Sequence, residues 1–377
     1  MIYLDYASYT PTNDAVLKKF CDIEKQFFGS ALSQHQLGQE AYAKIENITT
    51  RISTLLQVAP SEIIYTSGAS EGNNLAIKGI AKTYAFKGKH ILSTSLEHPS
   101  VTGTLSFLQE QGYDIELLKI LSDGQIDIQH LKTAIRPDTI LMCVSLIDSE
   151  LGAIQPIDEI SKILEKYPYC HLHIDVAQAM GKIPVSMNNA ATLTFSPNKF
   201  YGICGTGVLV KRQDVILEPL IHGGASTNIY RSGTPSLALA ASTLEALEIA
   251  IRDLDKNFCK VSQLRNYLID ELSTIPLVRF NSPKNASPYI LNLSVDGIRG
   301  VDFRDALNAK NVFVSVKSAC STDSSPSRPV MAVSRNKKNA LNSWRISLSH
   351  LTTQEELEEF IKIFKSILPY PLKDEKK

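Results

Sequence analysis

No stretch of this 377-residue sequence is apolar for long enough to cross a lipid bilayer, because a membrane-spanning helix needs about 20 consecutive apolar residues. The pattern of a secretion signal, a basic segment followed by an apolar one, is also missing from the first ten residues, MIYLDYASYT. Net charge is absent as well, since 39 basic residues balance 39 acidic ones. We therefore expect a cytoplasmic protein that binds neither a membrane nor a nucleic acid directly.

Cysteines are few and far apart. There are six, and no two of them have C-x-x-C spacing, so neither a disulfide framework nor a structural zinc site is expected, and we predict no metal. Five are expected to be small, buried and unreactive, namely Cys21, Cys143, Cys170, Cys204 and Cys259.

Short apolar runs alternate with helical stretches over the first 211 residues. A first helix is predicted between Asn13, which can cap it, and Gly29, which ends it. Strands are predicted at residues 63–66, 90–94, 139–146, 171–175, 193–195 and 207–210. Nearly continuous apolar strands separated by helices predict an α/β fold, with a mostly parallel sheet covered by helices on both faces.

The pattern changes after Thr234. One long helical stretch is predicted at residues 236–272, then strands at 277–280, 289–295 and 312–315 and helices at 301–309 and 353–367. We expect a large domain at residues 1–255 and a smaller α+β domain at 256–377, and residues 1–30 could pack on the small one. Ligands of open parallel sheets bind beyond the carboxyl ends of the strands, so residues there are the candidates for chemistry.

The residues at two of these strand ends are suited to binding charged groups, an anion at one and a cation at the other. Ser67-Gly68-Ala69-Ser70-Glu71 opens a helix after residues 63–66, and small residues at a helix start can bind phosphate through backbone amides. An ordinary capped helix start is the alternative. Asp175 ends a buried strand and needs a cationic partner, which could be a protonated pyridine nitrogen or a structural salt bridge.

Two further strand ends carry a lysine and a histidine. Lys199 follows residues 193–195, where desolvation would free its amine to attack a carbonyl, although solvated surface lysines are commoner. His98 follows residues 90–94 and could lie against an aromatic cofactor or move protons, or be purely structural. Four such signals at successive strand ends strengthen one another.

A series of short motifs extends along nearly the whole chain. They are Leu4-Asp5-Tyr6-Ala7, Thr66-Ser67-Gly68-Ala69-Ser70-Glu71-Gly72-Asn73-Asn74, Glu97-His98, Glu150-Leu151-Gly152, Asp175-Val176-Ala177-Gln178, Asn198-Lys199, Arg231-Ser232-Gly233-Thr234-Pro235, Ser318-Ala319-Cys320-Ser321, Arg345-Ile346-Ser347-Leu348 and Thr352-Thr353. In order and spacing the sequence resembles the cysteine desulfurases, class V members of the fold-type I pyridoxal-phosphate (PLP) enzymes. The Ser-rich segment after Cys320 resembles the branch that supplies sulfur for iron–sulfur clusters and tRNA thiolation.

The resemblance implies a role for each matching residue. Lys199 would hold pyridoxal 5'-phosphate as a Schiff base, Asp175 would keep the pyridine nitrogen protonated, and His98 would stack on the ring and move protons. Further contacts of the cofactor would come from Ala69, Ser70, Ser149, Gln178, Ser196, Asn198 and, from the partner subunit of a homodimer with shared active sites, Thr234. Arg345, with Ser149, would bind the substrate carboxylate.

The reaction implied is the conversion of L-cysteine to L-alanine, with the sulfur passing to Cys320 as a persulfide and then to an acceptor protein of the scaffold or tRNA-thiolation type. A nucleophilic thiolate must be accessible, and the small polar residues 321–327 after Cys320 suit that need. Lys317 could lower the pKa of the Cys320 thiol.

Several positions depart from the family pattern. Asn198 replaces a histidine, Asp148-Ser149 replace two asparagines, and Lys317 replaces a glycine. Residues 223–228 and 30–33 also differ from the usual segments. Each lost polar contact costs about 1–3 kcal/mol, so we expect a working but divergent enzyme.

Two other hypotheses stay open from sequence. One is a different PLP enzyme of this fold, a selenocysteine or cysteine-sulfinate lyase or an aminotransferase, for which Cys320 is dispensable. The other is a degenerate, non-catalytic relative that acts as a scaffold. Loops for ATP or NAD are missing, so a nucleotide-dependent enzyme is the weakest of the alternatives.

Overall fold

The structure, a computed structural model, describes residues 1–187, 190–224, 226–317 and 325–368. The strands are β1 Ile2–Tyr3, β2 Ile63–Thr66, β3 His90–Ser93, β4 Asp114–Leu117, β5 Thr139–Ser145, β6 His171–Asp175, β7 Thr192–Phe195, β8 Gly207–Lys211, β9 Val278–Phe280, β10 Ile290–Val295, β11 Val312–Phe313 and β12 Ser343–Ser347. The helices are α1 Asp14–Gln26, α2 Gln36–Leu56, α3 Ala69–Thr83, α4 Pro99–Glu110, α5 Ile128–Ala134, α6 Ile157–Leu164, α7 Leu237–Arg252, α8 Leu254–Ser273, α9 Gly300–Asn308, α10 Arg328–Ser334, α11 Lys337–Asn342 and α12 Gln354–Ser366.

A seven-stranded sheet forms the centre of the first two thirds of the chain. Its order is β2-β8-β7-β6-β5-β3-β4, and β8 alone runs antiparallel to its neighbours β2 and β7. Every residue of β5 and of β7 is buried, because helices cover both faces of the sheet. This burial explains why these strands read as continuous apolar runs.

The C-terminal third contains an antiparallel sheet of order β12-β10-β9. Trp344 of β12 lies in its core, with ring centroids 5.0 Å from Phe303 and 6.1 Å from Phe364. The N-terminal segment also reaches this region, since β1 pairs in parallel with β11 and Asp5 bridges to Ser347. Residues 1–8 are thereby fixed between the two sheets, where they contact the cavity described below.

The predicted α/β architecture with a mostly parallel sheet is confirmed, and all six strands predicted in the first 211 residues are present within two residues of their bounds. Several details were wrong. The stretch 236–272 is two helices that meet at Asp253, and the first helix ends at Gln26 before Gly29. The strands β1 and β12 were not predicted, and the edge strand β4 was missed because it alternates acidic with apolar residues and is at most half-buried. The division at residue 255 stays a prediction. In the described part of the chain, no helix has the length and apolarity that a bilayer crossing requires.

Candidate active site

A cavity of about 330 Å³ opens where three parallel strands end. Ser145 and Asp175, the last residues of β5 and β6, line it, as does Ser196 directly after β7. The predicted site residues that line it are Ala69, Ser70, His98, Ser149, Asp175, Gln178, Ser196, Asn198, Lys199 and Arg345. Thr234 is exposed and does not line the cavity of its own chain, and Cys320 lies outside the described residues.

Asp175 is held by a buried asparagine from the neighbouring helix. Asn73 of α3, which is 0% exposed, donates from Nδ2 to Asp175 Oδ2 and to Ser100 Oγ, each at 2.8 Å. The backbone N–H of Ala177 donates to the other carboxylate oxygen at 2.9 Å. Donors on both oxygens keep Asp175 in one orientation and stabilise its negative charge.

His173 fixes the orientation of that asparagine. Its Nε2 lies 2.8 Å from Asn73 Oδ1 and its Nδ1 lies 2.8 Å from Thr192 Oγ1. Because Asn73 Oδ1 can only accept, the imidazole proton must be on Nε2. Burial lowers the pKa of His173 to about 4, so the ring is neutral at physiological pH.

The same network continues to His98. Its Nδ1 accepts from the Ser100 hydroxyl at 2.8 Å and the Ser100 backbone N–H at 3.1 Å, so a neutral His98 carries its proton on Nε2. Burial lowers the pKa of His98, with the positive charge of Lys199 among the lesser causes. Asp175 and His98 therefore share one hydrogen-bonded support through Ser100 and Asn73.

Lys199 extends from the turn after β7 towards the N-terminal segment. Its Nζ donates to the carbonyl oxygens of Ser8 at 2.6 Å and Ala7 at 3.1 Å. Burial lowers the pKa of Lys199, and the nearby charge of Arg345 lowers it further. A lysine in this setting loses its proton more readily than one in water and becomes nucleophilic.

Arg345 of β12 is a second cationic group that lines the cavity. Its side chain is 2% exposed, and its NH2 nitrogen donates to Asp5 Oδ1 and Ser8 Oγ, each at 2.8 Å. NH1 donates to the backbone oxygen of Ser149 at 2.7 Å. The guanidinium is thus fixed in place at the cavity, where it can receive a carboxylate.

The start of α3 forms an anion-binding corner. The amides of Ala69 and Ser70 belong to its first turn, so the helix itself offers them no acceptor. A Cβ on Gly207 would lie 2.6 Å from Gly68 Cα, so glycine is needed for β8 to approach this loop. The nearby carboxylate of Glu71 is paired with Arg231 at 2.9 Å, which lessens its repulsion of an anion.

Ser196 and Asn198 complete this corner. Ser196 Oγ lies 2.7 Å from Asn198 Oδ1 and 2.9 Å from the backbone oxygen of Thr206. Asn198 therefore directs its oxygen to Ser196, which leaves its amide nitrogen as the group available for an anion.

A cluster of three buried acids, Glu97, Asp148 and Glu150, lies behind the cavity lining. Glu97 is bound by the hydroxyls of Thr94 at 2.7 Å and of Ser145 at 2.6 Å. Burial raises the pKa of Glu97 to about 7 and that of Asp148 to about 8, the latter helped by the charge of Glu150. These two carboxyls are therefore partly or mainly protonated at neutral pH, so the cluster carries less negative charge than its composition suggests.

The described residues on the two sides of the segment that bears Cys320 make hydrogen bonds, some with each other and some with the acidic cluster. Lys317 Nζ donates to the hydroxyl of Ser325 at 3.3 Å and also to its carbonyl oxygen. Ser327 Oγ donates to Glu150 Oε2 at 2.6 Å. The next residue, Arg328, lies 3.4 Å from the backbone oxygen of Glu97.

The prediction of five buried cysteines was partly wrong. Cys143 and Cys170 are buried, and burial raises their pKa values. Cys21, Cys204 and Cys259 are exposed, and Cys204 lines the cavity. Cys204 lies in the turn between β7 and β8, and its exposure is set by tertiary packing, which short-range sequence patterns do not reveal.

Sequence reasoning also missed supporting residues. Asn73 and Asp5 were within recognised motifs, but no role was assigned to them, and Ser100, Ser8 and His173 were not considered. The alternation in His171-Leu172-His173 could have drawn attention to His173, since a histidine in the middle of a buried strand needs polar partners.

Comparison with known proteins agrees with this geometry. The model of the family "Aminotransferase class-V" matches residues 2–360. The chain is 36% identical over 381 residues to cysteine desulfurase IscS of Dictyoglomus turgidum, which covers 98% of this chain and 96% of the relative. It is also similar to a solved NifS-like protein, with a TM-score of 0.91, 29% identity and coverage of 97% and 98%. A structure of SspA in complex with cysteine gives a TM-score of 0.81 at 29% identity, over 94% of this chain and 100% of that one.

Proposed function

Because the chain belongs to the class V aminotransferase family, we propose that it is a cysteine desulfurase that uses pyridoxal phosphate. The overall reaction is balanced: L-cysteine and an enzyme thiol give L-alanine and an enzyme persulfide. The observation that carries the proposal is the meeting of Lys199, Asp175, His98 and Arg345 in one cavity, each with fixed partners.

The residues present fit the cofactor chemically. Its phosphate would be bound by the first amides of α3, at Ala69 and Ser70, with Ser196 and Asn198. Asp175 would pair with the pyridine nitrogen, since its oriented carboxylate is a suitable acceptor for that N–H. His98 would lie on the ring, and Gln178 and Ser149 would contact the ring hydroxyl. When bound, the cofactor supplies an electron-poor ring that stabilises negative charge at the substrate α-carbon.

Lys199 acts as the carbonyl-reactive amine and as the base. Its lowered pKa leaves more of the amine unprotonated, so it can remove a proton from the substrate α-carbon. The Ala7 and Ser8 carbonyls that accept from its Nζ define where the amine rests when it is displaced. His98, which carries its proton on Nε2 when neutral, would donate that proton to a substrate atom other than the α-carbon.

Arg345 orients the substrate by its carboxylate. Asp5 and the Ser149 carbonyl occupy two of its nitrogens, and Nε of Arg345 has no hydrogen-bond partner among the described residues. A carboxylate that approaches this guanidinium would exchange with or add to the Asp5 contact.

Cys320 is proposed as the sulfur acceptor. In the proposed step the Cys320 thiolate forms a bond from Sγ to the substrate sulfur while the bond between that sulfur and the substrate β-carbon breaks. The β-carbon keeps the electron pair and takes up a proton, and alanine leaves. The proposal is supported by the described flanks of this segment, since Lys317 contacts Ser325 and Ser327 donates to Glu150 of the buried acidic cluster. A homodimer, with Thr234 of the partner reaching the phosphate, and delivery of the sulfur to an acceptor protein complete the proposal.

The experiment is intact mass spectrometry of the purified protein after incubation with pyridoxal phosphate and L-cysteine, with alanine measured in parallel. A gain of one sulfur atom that maps to Cys320, with alanine formed, is expected. Cys320→Ser should lose both, while Cys259→Ser, an exposed cysteine on α8, should lose neither.

Lys199→Ala should lower alanine formation by at least about 10³-fold, because it removes the amine that serves both as the carbonyl-reactive group and as the base. Alanine release at the parental rate from Lys199→Ala would overturn the mechanism. If alanine release survives in Cys320→Ser, the protein is a PLP enzyme of the same fold that catalyses a different reaction. If the purified protein gains no absorbance with the cofactor, the non-catalytic scaffold is favoured.

A further inference from the structure

A second lysine, Lys182, is buried directly behind the cavity. It is 7% exposed and follows Gly181, whose φ of +72° and close approach to Ala250 and Phe200 require glycine. The turn at Gly181 directs the chain back into the interior, where Lys182 lies next to Gln178. The position is unusual, because lysines are rarely buried without an acidic partner.

The charges that act on Lys182 are unfavourable. Burial, helped by the positive charges of Lys199 and Arg345, lowers its pKa to about 7. The ring of Tyr289 also faces Lys182, with its centroid 5.8 Å from Nζ. An aliphatic side chain at position 182 would avoid the cost of desolvating an amine, so the presence of a lysine there needs an explanation.

The hydrogen bond of Lys182 supplies one. Its Nζ donates to Gln178 Oε1 at 2.9 Å, and Gln178 Nε2 donates to the carbonyl oxygen of Ala7 at 2.9 Å. A protonated lysine can only donate and a carbonyl can only accept, so these partners leave one orientation for the amide. One of the two Nε2 hydrogens is used by Ala7, and the second remains for a ligand in the cavity that Gln178 lines.

We propose that Lys182 is a positioning residue for the cofactor, which holds Gln178 as a hydrogen-bond donor and adds positive charge on that side of the cavity. The inference rests on the proposed function. Together these two effects favour an ionised ring oxygen, which accepts from Gln178, over a neutral hydroxyl that would need an acceptor.

Two substitutions of Lys182 separate the effect of its hydrogen-bond donor from the effect of its positive charge. Lys182→Met removes both, while Lys182→Gln retains an N–H donor without the charge. Lys211→Met is the matched control, because Lys211 is also buried, with a lowered pKa, but its Nζ donates to the carbonyl oxygens of Arg212 and Val215 away from the cavity. The readouts are the dissociation constant of pyridoxal phosphate and the pH titration of absorbance of the cofactor-loaded protein.

For Lys182→Met we expect cofactor binding about tenfold weaker and an absorbance transition about one pH unit higher, since loss of a nearby positive charge favours the protonated lysine–cofactor link. Lys182→Gln should show the pH shift with less loss of binding, and Lys211→Met should match the parent in both. If Lys182→Met matches the parent, or if Lys211→Met shifts equally, the inference is wrong while the proposed function stands. A parent protein that gains no absorbance with the cofactor would instead remove the proposed function itself.

Discussion

Two buried polar regions adjoin the cavity, and they are built differently. The first, the cofactor wall, comprises Asn73, His98, Asp175 and Lys199 with their partners. The second is the acidic cluster of Glu97, Asp148 and Glu150, which is linked to the flank of Cys320 through Ser327. In the cofactor wall the acceptor atoms of Asp175 and His98 are paired with donors of Asn73, Ala177 and Ser100, whereas in the acidic cluster three carboxyl groups lie close together.

The difference appears in how the two regions respond to pH. The pKa of His173 is lowered to about 4, so the support of the cofactor wall does not change its protonation near neutrality. The pKa values of Glu97 and Asp148 are raised to about 7 and about 8, so the acidic cluster titrates in the physiological range. The Asn73–His173 support of the cofactor wall should therefore be robust to pH, while the acidic cluster that anchors the flank of Cys320 should be sensitive to it.

Among the supporting residues, the largest effect is expected from Asn73→Ala in the cofactor wall. The substitution leaves His173 Nε2, Ser100 Oγ and one oxygen of Asp175 without their partner in a dry interior. We expect a loss of ~2–4 kcal/mol in the free energy of unfolding, measured with urea, and a decrease in kcat/KM of about 10²-fold. Asn74→Ala is the control, because Asn74 is partly exposed and, among the residues that the structure describes, donates only to the carbonyl oxygen of Ser70. Equal behaviour of the two variants would contradict the role of the network.

Asp148→Asn tests the acidic cluster. The pKa of Asp148 rises from 3.8 in the unfolded chain to about 8, so the folded protein keeps a proton that the unfolded chain has lost. The free energy of unfolding of the parent should therefore fall as pH rises from 4 to 8, by up to ~1.4 kcal/mol per pH unit from this group. In Asp148→Asn the decline should be shallower and end near pH 7, where the remaining contribution of Glu97 ends.

The measurement is urea unfolding at pH 5, 6, 7 and 8, with the exposed Asp123→Asn as control. Asp123→Asn should parallel the parent. Parallel curves for the parent and Asp148→Asn would show that Asp148 is ionised in the fold, and the contrast between the two regions would then be lost.

Ser327→Ala should have a smaller effect, confined to the link with the Cys320 flank. It removes the hydrogen bond to Glu150 and the cap of α10, where Ser327 Oγ accepts from the Val330 N–H at 3.2 Å. We expect a loss of ~1–2 kcal/mol in stability and sulfur transfer that is about threefold to tenfold slower. Cofactor affinity should be unchanged, and Ser327→Thr should restore both properties. Weaker cofactor binding in Ser327→Ala would show that the two regions are not separate.

The cofactor wall was largely predictable because its main residues come directly after apolar strands. Asp175 is the last residue of β6 and Lys199 lies in the turn after β7, and the topology of a parallel sheet places such residues side by side. Their motifs are also local in sequence, so the residue type and its position could be read together. The strand ends were accurate for the same reason.

The supports of these residues were not predictable from local pattern. Asn73 contacts Asp175 across 102 positions, and Ser145 contacts Glu97 across 48. Which polar groups meet in an interior depends on how helices lie on the sheet, and apolar periodicity does not specify that. The exposure of Cys204 was missed for a related reason, since its surroundings are set by tertiary packing.

The smallest effect is expected from Cys204→Ser, which tests whether sulfur chemistry is confined to the Cys320 segment. Cys204 lines the cavity together with Lys199, so it is the other thiol that substrate sulfur could meet. Its turn is fixed, however, by the hydrogen bonds of Gly202 N to Pro197 O at 2.8 Å and of Ser196 Oγ to Thr206 O at 2.9 Å. A thiol held in this way cannot carry sulfur out to an acceptor protein, so alanine formation should stay within about twofold of the parent and peptide mapping should still locate the added sulfur at Cys320. Loss of the sulfur gain in Cys204→Ser would place the acceptor thiol on the cofactor wall and assign the acidic cluster a purely structural role.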